Sequence, residues 1–227
     1  MTMQSQSRHD HPEIVVFTGD LVGSSKLSPS DLSEAMRTLD AAAHDMARRL
    51  SARDPGALAW EPRFSAFRGD GWQCIGAGPA LALRGALLMR AHLGALGRPF
   101  DTRISIGIGS GWTTDAPNLS VASGPAFELS GRALDAMKGP QRFAIAWQDP
   151  PEGAPLITPI FALCDEISRN WTPKQAEVFK HLLGDRERPN QEALARALGR
   201  TQQTIAEHLS GGGDWALQEA LRAVEGV

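Results

Sequence analysis

The sequence predicts an α+β fold, with a sheet domain in its first two thirds and a small all-α unit after it. Three observations predict it. Up to about Gln148, short β-branched runs alternate with helix-period segments. DPPEGAP (149–155) then breaks the pattern with Pro, Gly and acid. Beyond it nearly every segment has helical periodicity. The expected organisation is a polar, disordered start over 1–12, a sheet domain over 13–148, a linker over 149–158 and a helical domain over 159–227.

EIVVFTG (13–19) is a short apolar, β-branched run and reads as the first strand. SPSDLSEAMRTLDAAAHDMARRL (28–50) repeats apolar residues at helical spacing, with Ser28 or Ser30 as cap. WEPRFSAF and WQCIGAG flank RGDG, the signature of a strand, a tight turn and a strand. PALALRGALLMRAHLGAL (79–96) is an Ala/Leu helix opened by Pro, and DTRISIGIGSG (101–111) alternates like a strand. SGPAFELSGRALDAMKG (123–139) is an amphipathic helix closed by Gly, and RFAIAW (142–147) is a last short strand. The order βαββαβ, followed by αβ, contains split βαβ units. It predicts a ferredoxin-like antiparallel sheet with helices on one face.

In the tail, WTPKQAEVFKHLLGD (171–185), NQEALARALG (190–199) and TQQTIAEHLS (201–210) are three helices, with a Gly-containing turn between the last two. The triple glycine at 211–213 stops the third, and WALQEALRAVE (215–225) follows.

Composition narrows the function. Hydrophobic residues make up 42% and charged residues 22%, enough for a sizeable core. No apolar run approaches the ~20 residues that a membrane span needs. The start has neither a signal-peptide pattern nor a lipidation motif, so the chain reads as cytoplasmic and free of membrane. Cys74 and Cys164 stand in no metal-ligand spacing and read as reduced, partly buried thiols. The histidines lack metal spacing and read as mostly exposed. The tryptophans read as core or junction packing. Net charge is −3, and residues 151–227 hold 8 Lys and Arg against 11 Asp and Glu, which counts against strong nonspecific DNA binding.

FTGDLVGSSKLS (17–28) delivers Asp20 from a strand onto a loop of Gly and Ser, and RGDG puts Asp70 at a hairpin tip. Either aspartate alone is equally a turn residue. In a βαββαβ sheet, however, the end of the first strand and the tip of the adjacent hairpin between the second and third strands can lie side by side. Two carboxylates there suit Mg²⁺, whose shell is completed by substrate phosphates. The loop Leu21, Val22, Gly23, Ser24, Ser25 would offer phosphate its backbone N–H groups.

FTGDLVGSSKLS, FRGDGWQCIGAG, TRISIGIGSG and GPAFELSGRAL follow the order and spacing of class III nucleotidyl cyclase domains, which residues 13–147 resemble. With the tail included, the chain resembles the SatD family, through its Thr-Gly-Asp and Gly-x-Ala-Phe segments and a Thr-Pro-x-Gln helix ahead of a helix-turn-helix. The resemblance implies that Asp20 and Asp70 bind metal, that Leu21 to Ser25 form the triphosphate loop and that Arg132 stabilises the reacting phosphate. It also implies a homodimer with sites shared between subunits.

Three departures matter. Glu128 stands where cyclases carry asparagine, Ala66 where many carry a purine-reading lysine, and Pro125 where an acidic residue is common. A carboxylate beside a polyphosphate adds repulsion where fixed donors are needed. The resemblance therefore implies a degenerate cyclase-type domain. Arg132 and Glu128 have a plain alternative as an i, i+4 pair on a helix surface.

The segment 190–210 has the length of a helix-turn-helix DNA reader, with Arg200, Thr201, Gln202, Gln203 and Thr204 at the start of its second helix. Gln pairs with adenine and Arg with guanine. A helical bundle that packs through the same turn is the alternative. The combined expectation is a nucleotide-sensing transcriptional regulator that binds a purine nucleotide (ATP, GTP or a cyclic derivative) with Mg²⁺, and double-stranded DNA. An active cyclase and a dimerising interaction scaffold are the alternatives.

Overall fold

The computed structural model describes residues 13–50, 63–67, 69–76, 78–97, 100–111, 119–184 and 187–226. The expected disordered start (1–12), Trp60 and Trp112 lie outside them. The fold is α+β with one five-stranded mixed sheet. Its strands are β1 (Ile14–Leu21), β2 (Phe64–Phe67), β3 (Gly71–Ile75), β4 (Thr102–Gly109) and β5 (Phe143–Trp147), in the order β2-β3-β1-β4-β5. The sheet-domain helices are α1 (Pro29–Arg49), α2 (Ala82–Ala95) and α3 (Pro125–Ala136). The remaining helices are α4 (Ala154–Arg169), α5 (Pro173–Leu183), α6 (Gln191–Leu198), α7 (Gln202–Gly211) and α8 (Asp214–Glu225). Among the described residues, no helix is long and apolar enough to cross a membrane.

β1 pairs antiparallel with both β3 and β4, and β2 with β3. β5 runs parallel to β4, so the expected all-antiparallel sheet is corrected to a mixed one. The reason lies in α3, a crossover helix that returns the chain to the same edge of the sheet in the same direction.

The expectation of helices on one face is also corrected. Val15, Phe17, Leu21, Trp72, Cys74, Ile104, Ile106 and Ile108 face the core shared with α1 and α2. The alternate residues Ile14, Val16 and Ile75 pack with Ala126 and Phe127 of α3 on the opposite face. Period-2 alternation thus serves both faces, each with its own apolar partner. α3 comes close because β4 has no side chain at Gly107: a Cβ there would strike the Ala126 carbonyl oxygen.

α1 begins where Ser28 accepts from the Asp31 N–H while Asp31 accepts from the Ser28 N–H, a capping box with Pro29 at the first turn. Its buried stripe is Ala35, Leu39, Ala42, Ala43 and Met46, at helical spacing. α2 is buried on almost every side, from Ala82 to Leu93, including Arg84 and Arg90. A helix without a polar face needs cover all round. α1 supplies one side, and α4, α5 and α8 supply others.

One hydrophobic core therefore runs from Phe17 and Trp72 through Leu87 and Leu88 to Phe179, Ile205 and Leu217. The Arg84 guanidinium binds both oxygens of Glu225, at 2.6 and 3.1 Å, tying α8 to α2. Residues 149–158, expected as a linker, are loop only to Gly153, and α4 starts at Ala154. Pro155 is compatible with a helix in its first turn, where an N–H would be unsatisfied anyway.

Candidate functional site

The two aspartates singled out in the sequence arrive at one corner of the sheet. Asp20 is the penultimate residue of β1 and lies opposite Gly71 on one side and Arg103 on the other. Gly69, in the left-handed region at φ 86°, lets the β2–β3 connection turn tightly enough to set Asp70 beside that strand end. The Leu21 N–H donates to the Asp70 carbonyl at 3.1 Å. The Ser24 hydroxyl donates to Asp70 Oδ2 at 2.6 Å, which joins the Gly/Ser loop to the hairpin tip.

Asp20 has a partner that the sequence reading missed. Arg103 Nε donates to Asp20 Oδ1 at 2.8 Å, and Nη2 donates to Asp20 Oδ2. Both side chains are only partly exposed, 32% for Arg103 and 24% for Asp20. The bond to Asp20 raises the Arg103 pKa, and burial opposes it; the charges of Asp20, Asp135 and Asp70 add to the rise. Arg103 thus grips Asp20 directly, while Asp70 and Asp135 act on it only through their charge. The signal for it was parity: in DTRISIGIG, Arg103 points away from the face of Ile104 and Ile106. Its match to Asp20 depends on β1–β4 register, which no turn in the sequence fixes.

The loop is more committed than expected. The Leu21 and Val22 N–H groups are spent on the carbonyls of Asp70 and Asp101, the latter at 2.9 Å. Gly23 adopts a left-handed φ of 68°, and Ser24–Lys26 form a single 3-10 turn. Gly23, Ser24 and Ser25 remain the part of the loop suited to an anion, with Ser25 and Lys26 exposed beside it.

In kind, the donors fit Mg²⁺: two carboxylates and a hydroxyl, all hard oxygen ligands. In arrangement, both oxygens of Asp20 are held by Arg103, so a cation at Asp20 would compete with the Arg103 clamp for the same carboxylate. Among the described residues, no group of three or more His, Cys, Asp and Glu side chains is placed to hold a metal ion.

Arg132 and Glu128 lie on the outer side of α3. Their side chains are 71% and 68% exposed, and Nη2 of Arg132 is 3.4 Å from Glu128 Oε2. The buried side of the same helix carries Ser130, whose hydroxyl bonds Thr18 of β1 at 2.7 Å, with Gln73 donating to Thr18 at 2.9 Å.

In the tail, α5, α6 and α7 pack together around Phe179, Leu194 and Ile205. Asn190 caps α6, Gly199 ends it in the left-handed region at φ 60°, and Thr201 caps α7 by accepting from the Thr204 N–H at 3.1 Å. Thr201, Gln202 and Gln203 are exposed, and Thr204 is half-buried. Gln203 donates to Glu207 at 3.1 Å. Arg200 is turned inward instead: its Nη2 donates to Glu177 of α5 at 2.9 Å.

Burial pushes the Cys74 thiol far up and Cys164 up to about 12, so both stay protonated. His44 is exposed, but His92, expected at the surface, is packed inside with Nε2 3.3 Å from Asp45. Trp72 is fully buried and Trp171 stacks on Phe179, whereas Trp215, expected in packing, is 77% exposed. No protein-family model matches the chain, and no curated protein matches it.

Proposed function

We propose that the chain is a nucleotide-responsive regulator, with a degenerate cyclase-type domain at the Asp20–Asp70 corner and a helix-turn-helix in α6–α7. The observation that carries this reading is the Ser24–Asp70 hydrogen bond. It joins the Gly/Ser loop to Asp70 beside the strand end where Arg103 holds Asp20, a combination suited to a polyphosphate. The βαββαβ order with β2-β3-β1-β4 adjacency supports a ferredoxin-like domain of the kind that the sequence motifs resemble.

Asp20 and Asp70 would hold Mg²⁺, which would supply charge neutralisation at the phosphates. Arg103 is the residue that the ion displaces from Asp20. A purine nucleotide is the ligand class that the resemblance implies. Sensing is favoured over cyclisation because Arg132, the implied transition-state cation, is paired with Glu128. Exposure of both on α3 leaves them accessible to a second copy, and a homodimer also suits a two-fold DNA site.

The exposed Thr201, Gln202 and Gln203 at the start of α7 support base-edge readout in double-stranded DNA. The acidic tail implies that affinity rests on those contacts more than on phosphate attraction.

The test is thermal stability of the full chain with ATP and GTP, with and without Mg²⁺, alongside Asp20→Ala. A ligand at about 100 times its dissociation constant adds about 2.7 kcal/mol. A Mg²⁺-dependent rise that is lost in Asp20→Ala is expected. No rise with either nucleotide would overturn the reading.

A further inference from the structure

A second site suggests itself on the other side of Asp101. A cavity of about 490 Å³ opens between the end of α2, the start of β4 and the α4–α5 turn, lined among others by Arg90, Leu93, Phe100, Asp101, Asn170 and Trp171. That volume lies within the ~300–1,000 Å³ of small-molecule sites.

Its chemistry is set by Arg90. The side chain is 7% exposed, with Nη1 3.4 Å from Asp165 Oδ1 and the guanidinium carbon 4.3 Å over the Phe143 ring. Asp165 is shared: its Oδ2 accepts from the Arg142 and Phe143 N–H groups at 2.7 and 3.1 Å. Nε and Nη2 of Arg90 have no hydrogen-bond partner among the described residues. Buried donors left without an acceptor are destabilising, and Asp165 Oδ1 beside them also lacks a hydrogen bond, so an acceptor to which this guanidinium could turn would relieve it. Burial also pulls down its pKa, with Asp165 opposing, as expected of a cation only partly compensated.

Part of the lining is flat and apolar, beside the polar side chains of Asp101, Thr102, Arg169 and Asn170. One face of Trp171 is covered by Phe179, with centroids 4.3 Å apart and planes at 9°, and its Nε1 is fixed on the Gly212 carbonyl at 2.8 Å. A tryptophan held this way is a rigid surface for a ring. Phe100 and Leu93 add apolar area.

We propose that this cavity binds a small planar molecule bearing one acidic group, a carboxylate or a phosphate, with the acid at Arg90 and the ring against Trp171 and Phe100. The inference is independent of the nucleotide reading, although the sites share a wall. Asp101 accepts from the Val22 N–H through its carbonyl, and the Thr102 hydroxyl donates to the Asp20 carbonyl at 2.7 Å.

The experiment is isothermal titration calorimetry of the full chain with 2-naphthoate and 2-naphthyl phosphate, using 2-naphthol as the neutral control. Saturable one-site binding of at least one acid is expected, at least about tenfold tighter than the naphthol; which acid binds identifies the head group. Arg90→Met should weaken the acid about tenfold and leave the naphthol unchanged. Should that variant fail to fold, Asn170→Trp carries the test, since Asn170 is exposed and a large ring there narrows the cavity. It should weaken all probes about tenfold. No saturable binding of either acid at millimolar concentration, or undiminished binding in Asn170→Trp, would overturn the proposal.

Discussion

Arg103 and Asp20 face each other across β1 and β4 and share two hydrogen bonds, so that the carboxylate expected to hold a cation already holds one from its own chain. Replacement of that arginine by a neutral side chain separates the two roles of Asp20. In Arg103→Gln, Mg²⁺ affinity measured by calorimetry should rise about tenfold, a change of about 1.4 kcal/mol. Both side chains reach solvent, so the loss of stability should be about 1 kcal/mol or less. Unchanged Mg²⁺ affinity would show that Arg103 and the ion do not compete for Asp20.

The closeness of α3 to the sheet is testable at two glycines. A Cβ on Gly107 meets the α3 backbone, so Gly107→Ala should destabilise by about 1–3 kcal/mol, read as a lower urea midpoint. Gly131 lies in α3 itself with nothing within 4 Å of the place a methyl group would occupy, and Gly131→Ala should instead stabilise by up to about 1 kcal/mol.

Asp45 links stability to acid. Burial would raise its pKa, but the hydrogen bonds from His92 and Arg48 and the charge of Arg49 prevail and hold it well below the ordinary 3.8. The stabilisation is complete above about pH 4 and is lost as pH falls through the folded-state value. Asp45→Asn should cost about 2 kcal/mol at pH 7, and the gap between the two melting curves should shrink below pH 4. A constant gap from pH 7 down to pH 2 would contradict this.

Two residues of the tail should behave oppositely. Gln202 is exposed, so Gln202→Ala should leave the melting temperature unchanged and lower specific DNA affinity by about 1–3 kcal/mol in a binding titration. Arg200 is turned onto Glu177, so Arg200→Met should act on stability first. If Gln202→Ala leaves affinity for a selected target site intact, α7 does not read bases.

Much of this was legible from local signals. Ser28 announces the start of α1, and the Gly69–Gly71 turn the β2–β3 hairpin. The meeting of Asp20 and Asp70 followed from strand order alone. The pairing of Arg103 with Asp20 did not, because the two stand 83 residues apart and the register of their strands comes from packing. The side taken by α3 was hidden for a similar reason: an apolar stripe says that a helix is buried, not which face of a sheet it covers. The start of α4 was hidden by Pro155, which read as a linker residue although the helix contains it. The clearest missed hint was α2, whose lack of a polar face already demanded a second layer over it.

That second layer decides how the molecule comes apart. With α5 seated on α2 and Glu225 gripping Arg84, the part that would read DNA shares the core of the sheet. Nicking the loop before Ala154 would not release a working fragment; it would strip Phe161, Phe179 and Leu182 of their cover along with the helix beneath them. Melting should accordingly be one cooperative event, and any message passed from the corner to α7 must travel as strain through a single solid rather than as the swing of a module.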